Sequence, residues 1–168
     1  INSLSGKTPD EPVASIATLL RAYDLEAGDV IFVDSGDYKL IQNIVITTAD
    51  QGLTFQGPLI GSALLDRQYT ENGSYGIVLE DADDVTIASL DIINAYAGIA
   101  ARRNSDSDRL TVRDGRFTAN SVGILLEDSN DAALIEGNQL FANAVFGLRS
   151  GARIEGLNSV VRNNEAFD

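Results

Sequence analysis

The chain has 168 residues, 44% of them hydrophobic, a formal net charge of −13, and neither histidine nor cysteine. This length and composition suit one domain with a sizeable elongated core, and the negative charge argues against nucleic acid and anionic membranes as partners. Without histidine, the commonest general base and the commonest transition-metal ligand are missing, so any chemistry would depend on carboxylates, Tyr, Lys or Arg.

The first predicted element is a helix that begins near Pro12. A proline suits the first turn of a helix because its missing N–H would be unused there. Val13, Ile16 and Leu20 follow at spacings of three and four residues, which is a helical pattern, and the helix is expected to stop before Gly28. A lone helix of about 12 residues is marginal in water. We therefore expect it to cover the apolar end of the structure that follows.

Strand patterns start directly after this helix. Residues 29–33 form a nearly continuous apolar strand, and residues 35–38 are expected to form a turn. Residues 43–47 and 63–66 have the composition of further strands. The segment 66–74 is polar and unpatterned, so it is predicted to be a loop insertion. Solenoid proteins place such insertions on one face, often the binding face.

A short glycine phrase then recurs four times between residues 75 and 151. The glycines, at positions 76, 98, 123 and 147, are 22, 25 and 24 residues apart, a spacing typical of solenoids. Each phrase is followed by a polar turn and two further short segments with alternating apolar residues, which predicts three strands in each coil. The phrases are Gly76-Ile77-Val78-Leu79-Glu80, Gly98-Ile99-Ala100-Ala101-Arg102, Gly123-Ile124-Leu125-Leu126-Glu127 and Gly147-Leu148-Arg149-Ser150-Gly151. This pattern describes a parallel β-helix.

Stacking of the coils would place equivalent residues about 4.8 Å apart. Asn94, Asn120 and Asn143 fall at coil corners, where we expect each to bond the backbone of the next corner. The predicted inward rows are Ile77, Ile99, Ile124 and Leu148; Leu79, Ala101 and Leu126; Ile87, Val112, Ile135 and Ile154; and Ile92, Phe117, Leu140 and Val160.

The order of these elements resembles the right-handed parallel β-helix proteins of the pectin-lyase-like superfamily. The resemblance is carried by Leu25-Glu26-Ala27-Gly28-Asp29-Val30-Ile31-Phe32-Val33, by Leu53-Thr54-Phe55-Gln56-Gly57 and by the Gly-Ile-x-Leu coils, which are similar to repeats of bacterial periplasmic and surface proteins. It implies an all-β, right-handed parallel β-helix of four to five coils in a secreted, periplasmic or cell-surface protein. The same coils serve lyases, hydrolases, epimerases, adhesins and passive spacers, so the fold alone does not give the activity.

Two regions are expected in the chain. Residues 1–28 would form an N-terminal extension with the capping helix, and residues 29–168 the β-helix. The last coil is unfinished, and an open solenoid end leaves unpaired strand edges that proteins normally cover. We expect further coils or domains of the same parent protein to follow, the alternative being a small protein that dimerises through this end.

One outward row of the predicted coils alternates in charge: Glu80, Arg102 and Glu127, with Gly151 next in line. The outward row two positions earlier is Val78, Ala100, Leu125 and Arg149. One interpretation is a surface ladder of ion pairs, each worth up to about 1 kcal/mol. The other is a sugar-binding face, on which carboxylates and a guanidinium hold hydroxyls or a uronate. Tyr69 and Tyr75, beside the polar loop, could stack on a sugar ring.

The acidic turns are predicted to stack as well. Like charges at this spacing repel unless they are solvated or share a cation, and Ca²⁺ prefers such oxygen clusters. Both solvated turns and a possible calcium site remain open, although the spacing matches neither an EF-hand nor the glycine-rich calcium nonapeptide. The candidate ligands are Asp81, Asp83, Asp84, Asp106, Asp108, Asp128 and Asp131.

The resemblance also implies what an enzyme would need. Polysaccharide lyases on this fold resemble one another in using Arg or Lys as base near a cation, for which Arg102, Arg103 and Arg149 are the candidates. Alginate epimerases carry an Asp-Pro-His motif, which this chain lacks. The paired carboxylates recur in every coil, whereas an active site is expected to interrupt the repeat once.

The leading hypothesis is a non-catalytic module of a larger secreted or surface bacterial protein. It would present its polar face to polysaccharide, or act as a structural spacer or adhesin segment. The alternative is a lyase or epimerase acting on acidic polysaccharide, and a third possibility is a calcium-stabilised structural module. No apolar run approaches the roughly 18 residues of a membrane span, so no membrane insertion is expected.

Overall fold

The chain winds into a parallel β-helix, as predicted. The computed structural model describes residues 5–8, 10–13, 15–145, 148–149 and 152–167. Within these residues three parallel sheets run along the solenoid, and the chain visits sheets A, B and C in turn, completing five coils. The strands of sheet A are β1 (Val30–Phe32), β4 (Thr54–Gln56), β7 (Thr86–Ala88), β10 (Thr111–Arg113), β13 (Leu134–Glu136) and β18 (Val160–Arg162).

Sheets B and C complete each coil. The strands of sheet B are β2 (Gly36–Lys39), β5 (Ala63–Tyr69), β8 (Asp91–Ala95), β11 (Arg116–Thr118), β14 (Gln139–Phe141) and β19 (Glu165–Phe167). Those of sheet C are β3 (Ile44–Thr47), β6 (Tyr75–Glu80), β9 (Ala97–Ala101), β12 (Val122–Leu126) and β17 (Ala152–Ile154). A short antiparallel pair, β15 (Ala144–Val145) and β16 (Leu148–Arg149), interrupts the last complete coil before β17.

The core is formed by aliphatic and aromatic side chains stacked in register from coil to coil. Ile77 pairs with Ile99, and Ile99 with Ile124. Phe117 lies between Ile92 and Leu140 in sheet B. All of these side chains are buried. Fully burying a side chain of this size contributes roughly 1.5–3 kcal/mol, so the stacked rows are the main source of the solenoid's stability, and these parts of the predicted rows are confirmed.

The glycines of the repeat are required by close packing. A Cβ at Gly98 would lie 2.7 Å from the Gly123 carbonyl oxygen and 2.8 Å from Cδ1 of Phe117. A Cβ at Gly76 would lie 2.5 Å from Cγ2 of Ile92 and 2.6 Å from the Gly98 carbonyl oxygen. The glycine phrase therefore recurs because each of these coils brings backbone and a core side chain to the place of the missing methyl group.

The fourth glycine phrase does not form the fifth strand of sheet C. Leu148 belongs to β16, and Ala152 of β17 pairs with Ile124 in its place. The antiparallel pair adds residues between β14 and β17, so the residues that follow it pair with different partners than predicted. The predicted positions of Ile154 and Val160 were wrong, because Ile154 pairs with Leu126 and it is Val161 that pairs with Ile135. Gly147, Ser150 and Gly151 lie outside the described residues.

The capping helix is present but shorter than predicted. Helix α1 spans Ile16–Ala22, and Ser15 is its N-cap, accepting a hydrogen bond from the Thr18 N–H at 3.3 Å. The expected start at Pro12 was wrong, because a serine hydroxyl satisfies the first free N–H groups of a helix. Leu19 and Leu20 pack against the end of the core. In the described part of the chain, no helix is long and apolar enough to span a membrane.

Two predicted loops contain strand. Residues 36–39 form β2, which pairs with the first half of β5. Strand β5 continues to Tyr69 through a register shift after Asp66, with Gln68 at a φ of 67°. Arg67 is buried, and its Nε donates to Oδ1 of Asn43 at 3.0 Å. The polar residues 66–69 are thus part of a strand, with the buried Arg67 side chain hydrogen-bonded, and only residues 70–74 remain as loop.

Buried asparagines connect successive coils at the corners. Oδ1 of Asn120 accepts the Ala95 N–H at 2.9 Å, and its Nδ2 donates to the Ile92 carbonyl oxygen at 2.9 Å. Asn143 holds the Asn120 N–H in the same way at 3.1 Å. The prediction is wrong for Asn94, which has a φ of 54° and donates its Nδ2 to Asp66 instead. An unpredicted ladder of Asn138 and Asn164 links sheets A and B.

Candidate functional site

The acidic turns between sheets C and A form a ladder of hydrogen bonds. Asp81 accepts the Asp106 N–H at 2.9 Å, and Asp83 accepts the Asp108 N–H at 2.8 Å. Asp108 in turn accepts the Asp131 N–H at 2.7 Å. Each carboxylate therefore binds the backbone of the following coil, which gives these aspartates a structural use.

Arg109 neutralises part of this acidic corner. Its Nε donates to Asp84 at 2.7 Å and its Nη2 to Asp83 at 2.8 Å. The hydrogen bond from Arg109 lowers the pKa of Asp84, and the bonds to Asp84 and Asp83 raise the pKa of Arg109. Asp128 lies elsewhere, 3.1 Å from Nη2 of Arg103.

Calcium binding at these turns remains a hypothesis. Within the described residues, no group of three or more acidic, histidine or cysteine side chains is arranged to hold a metal ion. A calcium titration followed by thermal unfolding tests the idea directly, because a ligand that binds only the folded state raises Tm. A Tm that calcium leaves unchanged would remove the hypothesis.

Substituting Arg109 is expected to weaken the protein's sensitivity to acid. The folded-state pKa of Asp84 lies below its ordinary value of 3.8, so its contribution to stability is present above that pH and is lost as pH falls through the folded pKa. Arg109→Gln should therefore cost a small amount of stability near neutral pH and less in acid. The pair is exposed, so the effect is modest. The test is the Tm of the variant and of the unsubstituted protein, measured from neutral pH to below the ordinary Asp84 pKa of 3.8.

Arg102→Gln is the matched control, because Arg102 is exposed and makes no ion pair among the described residues. Its acid profile should follow that of the unsubstituted protein. Equal changes in the acid profiles of the two variants would contradict the role given to Arg109.

The alternating row is present, but the predicted ion-pair ladder is not formed. The neighbouring pairs place Glu80, Arg102 and Glu127 in register. Among the described residues Arg102 donates only to Oδ1 of Asn104, at 3.4 Å, and Glu127 accepts the Arg103 N–H at 3.1 Å. Arg102 and Glu127 thus bond to groups nearby in the corner, and within the described residues the Arg102 guanidinium pairs with no carboxylate.

The row continues with a different residue than predicted. Glu155 occupies the position next to Glu127 that Gly151 was expected to fill. Glu155 accepts hydrogen bonds from Arg153 and, at 3.4 Å, from Arg103. Bonding to Arg153 lowers the pKa of Glu155, and the same contact raises that of Arg153.

The outer face of sheet C carries a second apolar cluster. Its centre is the outward row of Val78, Ala100 and Leu125, all buried, with Arg153 rather than Arg149 next in line. Tyr75, Ala97 and Val122 complete the cluster. An apolar floor on the outside of a solenoid sheet needs cover from neighbouring side chains and loops.

A cavity of about 480 Å³ lies over this apolar floor. The rings of Tyr75 and Tyr96 meet edge to face, with centroids 6.2 Å apart and planes at 70°. The 70–74 loop is tied to neighbouring coils, because Thr70 accepts the Ser121 hydroxyl at 3.2 Å and Gly73 accepts Nδ2 of Asn43 at 3.1 Å. The lining residues are Asn72, Tyr75, Tyr96, Arg102, Arg103, Asn104, Leu125 and Glu127.

The cavity brings together part of the predicted site. Tyr75, Arg102 and Glu127 line it, and Arg103, a catalytic candidate, does so as well. Glu80 is exposed outside its lining.

The two remaining candidates lie elsewhere. Tyr69 is 60% exposed, with the Arg67 guanidinium 5.7 Å from its ring centre. The backbone of Arg149 lies in β16, and its side chain is outside the part of the chain that the structure describes.

Sequence reasoning missed Tyr96, Leu125, Asn72 and Asn104 as lining residues. A signal for Tyr96 was present, because Tyr75 stands directly before Gly76 and Tyr96 stands two residues before Gly98, so both tyrosines precede the glycine phrase of successive coils. The cavity therefore combines two aromatic rings and a leucine with two guanidinium groups, two amides and one carboxylate. This combination suits a ligand with both an apolar face and several hydrogen-bonding groups.

The profile of one protein family matches most of the chain. This family is described as the right handed beta helix region, and its match covers residues 22–167. No curated protein and no solved structure shows a significant match. The matched region contains every strand of the five coils and the cavity on sheet C, so the chain belongs to the right-handed beta helix family.

Proposed function

We propose that this protein is a non-catalytic β-helix module that binds polysaccharide in the cavity on sheet C. The observation that carries the proposal is the pairing of Tyr75 and Tyr96 with Arg102 and Arg103 around one cavity. Its volume falls within the range of about 300–1,000 Å³ found for small-ligand sites. One or two sugar units of a longer glycan would occupy it.

The tyrosines would supply the contact with the apolar face of a sugar ring. Tyr75 is only 4% exposed, so its ring is held in place, whereas Tyr96 is partly exposed beside it. Rigid aromatic rings with a polar tip bind such surfaces at little cost in conformational entropy. Tyr96 is therefore the principal stacking residue in the proposal.

The polar wall would bind hydroxyl and carboxylate groups. Arg102 and Arg103 are exposed, and a guanidinium presents several donors in a plane that matches a carboxylate. Arg102 makes no ion pair among the described residues, so its charge is available to a ligand. Asn104 and Glu127 add an amide and an acceptor.

Binding without cleavage is favoured by the carboxylates of the cavity. Glu127 is the one carboxylate among its lining residues, and its Oε2 already accepts the Arg103 N–H. Glycosidases use a pair of carboxyl groups that flank the scissile bond. The two arginines keep a lyase or epimerase as the alternative, since a cationic base and a neutralised uronate are what such an enzyme would use. In either case we place the protein outside the cytoplasm, where polysaccharide is met.

A panel of glycans tests this proposal. The protein is passed over immobilised pectate, alginate, glycosaminoglycan and neutral glycans, and the same glycans are incubated with it in solution, with and without calcium. We expect retention on at least one glycan and no new chain ends by reducing-sugar and ultraviolet assays. New ends would establish the enzymatic alternative. If the protein is retained on no glycan and produces no new ends, the binding proposal is contradicted and the role of a structural spacer is left.

A further inference from the structure

The turn at the rim of the cavity contains the one Asn-Gly pair of the sequence, Asn72-Gly73. Asn72 is exposed and lines the cavity, and a Cβ at Gly73 would meet nothing within 4 Å. We propose that Asn72 is a site of spontaneous deamidation, in which the backbone nitrogen of Gly73 attacks the side-chain amide. The product is a carboxylate at the rim of the cavity.

The backbone of this turn leaves the attacking nitrogen free. The turn is closed by the Ser74 N–H, which donates to the Glu71 carbonyl oxygen at 3.0 Å, and the Gly73 carbonyl accepts Nδ2 of Asn43. None of the hydrogen bonds of the described residues uses the Gly73 N–H. Glycine also lacks the side chain that would restrict rotation toward the Asn72 side chain. Both the nucleophile and the space it needs are therefore present.

The reaction needs only water. A base, water or hydroxide, removes the Gly73 amide proton, and the nitrogen attacks Cγ of Asn72. The bond from Cγ to Nδ2 breaks, and ammonia leaves with the proton. The resulting succinimide ring is opened by one water molecule. Attack at Cγ gives aspartate, and attack at the main-chain carbonyl carbon gives isoaspartate, which adds a methylene to the backbone. No oxidant or reductant takes part.

Asp114-Gly115 and Asn104-Ser105 are useful comparisons, because each has related chemistry in a different geometry. Asp114-Gly115 could form the same succinimide, but the Gly115 N–H donates to Oδ1 of Asn138 at 3.0 Å and Gly115 is buried. Asn104 is exposed in the same cavity, but the N–H of the following Ser105 donates to the Arg102 carbonyl oxygen at 2.9 Å. Of these three positions, Asn72 alone meets all three conditions. Its side chain is exposed, the next residue is glycine, and the N–H of that glycine donates no hydrogen bond among the described residues.

Deamidation would change the charge of the proposed binding site. A carboxylate at position 72 enters a cavity that contains Arg102 and Arg103 and would compete for them with an anionic glycan. This consequence rests on the proposed function, whereas the reaction at Asn72 does not. The two can therefore fail separately.

The chemistry is tested by ageing the folded protein at mildly alkaline pH and mapping its peptides by mass spectrometry. We expect the mass gain of an NH₂ replaced by OH at Asn72, with both aspartate and isoaspartate products, while Asn104 stays an amide. Isoaspartate should be absent at Asp114 in the folded protein and should form at both positions in denaturant. An Asn72 that lasts as long as Asn104, or an Asp114 that reacts as fast as Asn72 in the folded state, would overturn the proposal.

Two variants complete the test. Gly73→Ala should lose most of the conversion at Asn72, and an unchanged rate would contradict the role of the glycine. Asn72→Asp should show reduced retention on an anionic glycan that the unsubstituted protein binds. Unchanged retention would show that the rim charge does not reach the ligand, whatever the mass spectra show.

Discussion

Asn120→Ala is expected to lower the free energy of unfolding by about 3 kcal/mol. Asn120 is 2% exposed. Its side chain accepts the Ala95 N–H and donates to the Ile92 carbonyl oxygen, both of which belong to the preceding coil. Both backbone groups would be left buried without a partner, at a cost of about 1–3 kcal/mol each. Urea unfolding followed by circular dichroism measures the difference.

Asn94→Ala is the control for this prediction. Asn94 lies at the same corner position as Ala119 and Ala142, all three with φ between 51° and 54°, so alanine is already accepted there in two coils. The substitution loses only the bond from Nδ2 to Asp66, worth about 1 kcal/mol or less. Equal losses of unfolding free energy at Asn94 and Asn120 would contradict a larger stabilising role for the buried asparagine ladder.

Gly98→Ala is expected to cost about 3 kcal/mol through overpacking. The new methyl group would overlap the Gly123 carbonyl oxygen and the Phe117 ring, and backbone cannot move aside as a flexible side chain can. For a domain of this length each 1 kcal/mol lowers Tm by about 2–4 °C, so thermal unfolding gives a clear readout.

Gly28→Ala adds the same methyl group where nothing lies within 4 Å. Its cost comes from the φ of 97° at that position, roughly 1 kcal/mol. A loss at Gly28 as large as that at Gly98 would mean that the repeat glycines are needed for backbone freedom and not for packing.

The fold could be predicted because its constraints repeat. Ile77, Ile99 and Ile124 recur at intervals that only a coil explains. A glycine precedes each of them, and at Gly76 and Gly98 the next coil leaves no room for a side chain. The prediction of the fifth coil was wrong because the phrase at Gly147, like the other three, begins with a glycine followed by an aliphatic residue. A composition pattern cannot distinguish a strand that pairs with Ile124 from one that folds back on Ala144 and Val145.

The site was partly predictable for the same reason. Arg102 and Glu127 were placed on one row by register alone. Tyr96 and Asn72 depend on which side chains and loops fold over the outside of the sheet, and the repeat does not encode this. Tyr69 does not line this cavity, because it belongs to β5 of sheet B, whereas the cavity lies on sheet C.

The most direct test of the binding site compares Tyr96→Ala with Tyr69→Ala. Both remove a partly or largely exposed tyrosine, but only Tyr96 lines the cavity. The affinity of each variant for the glycan that retains the protein is measured by isothermal titration calorimetry. We expect Tyr96→Ala to lose about 1 kcal/mol of binding free energy, roughly fivefold in Kd, and Tyr69→Ala to bind like the unsubstituted protein. Unchanged binding by Tyr96→Ala, or an equal loss in both variants, would contradict a binding site in this cavity.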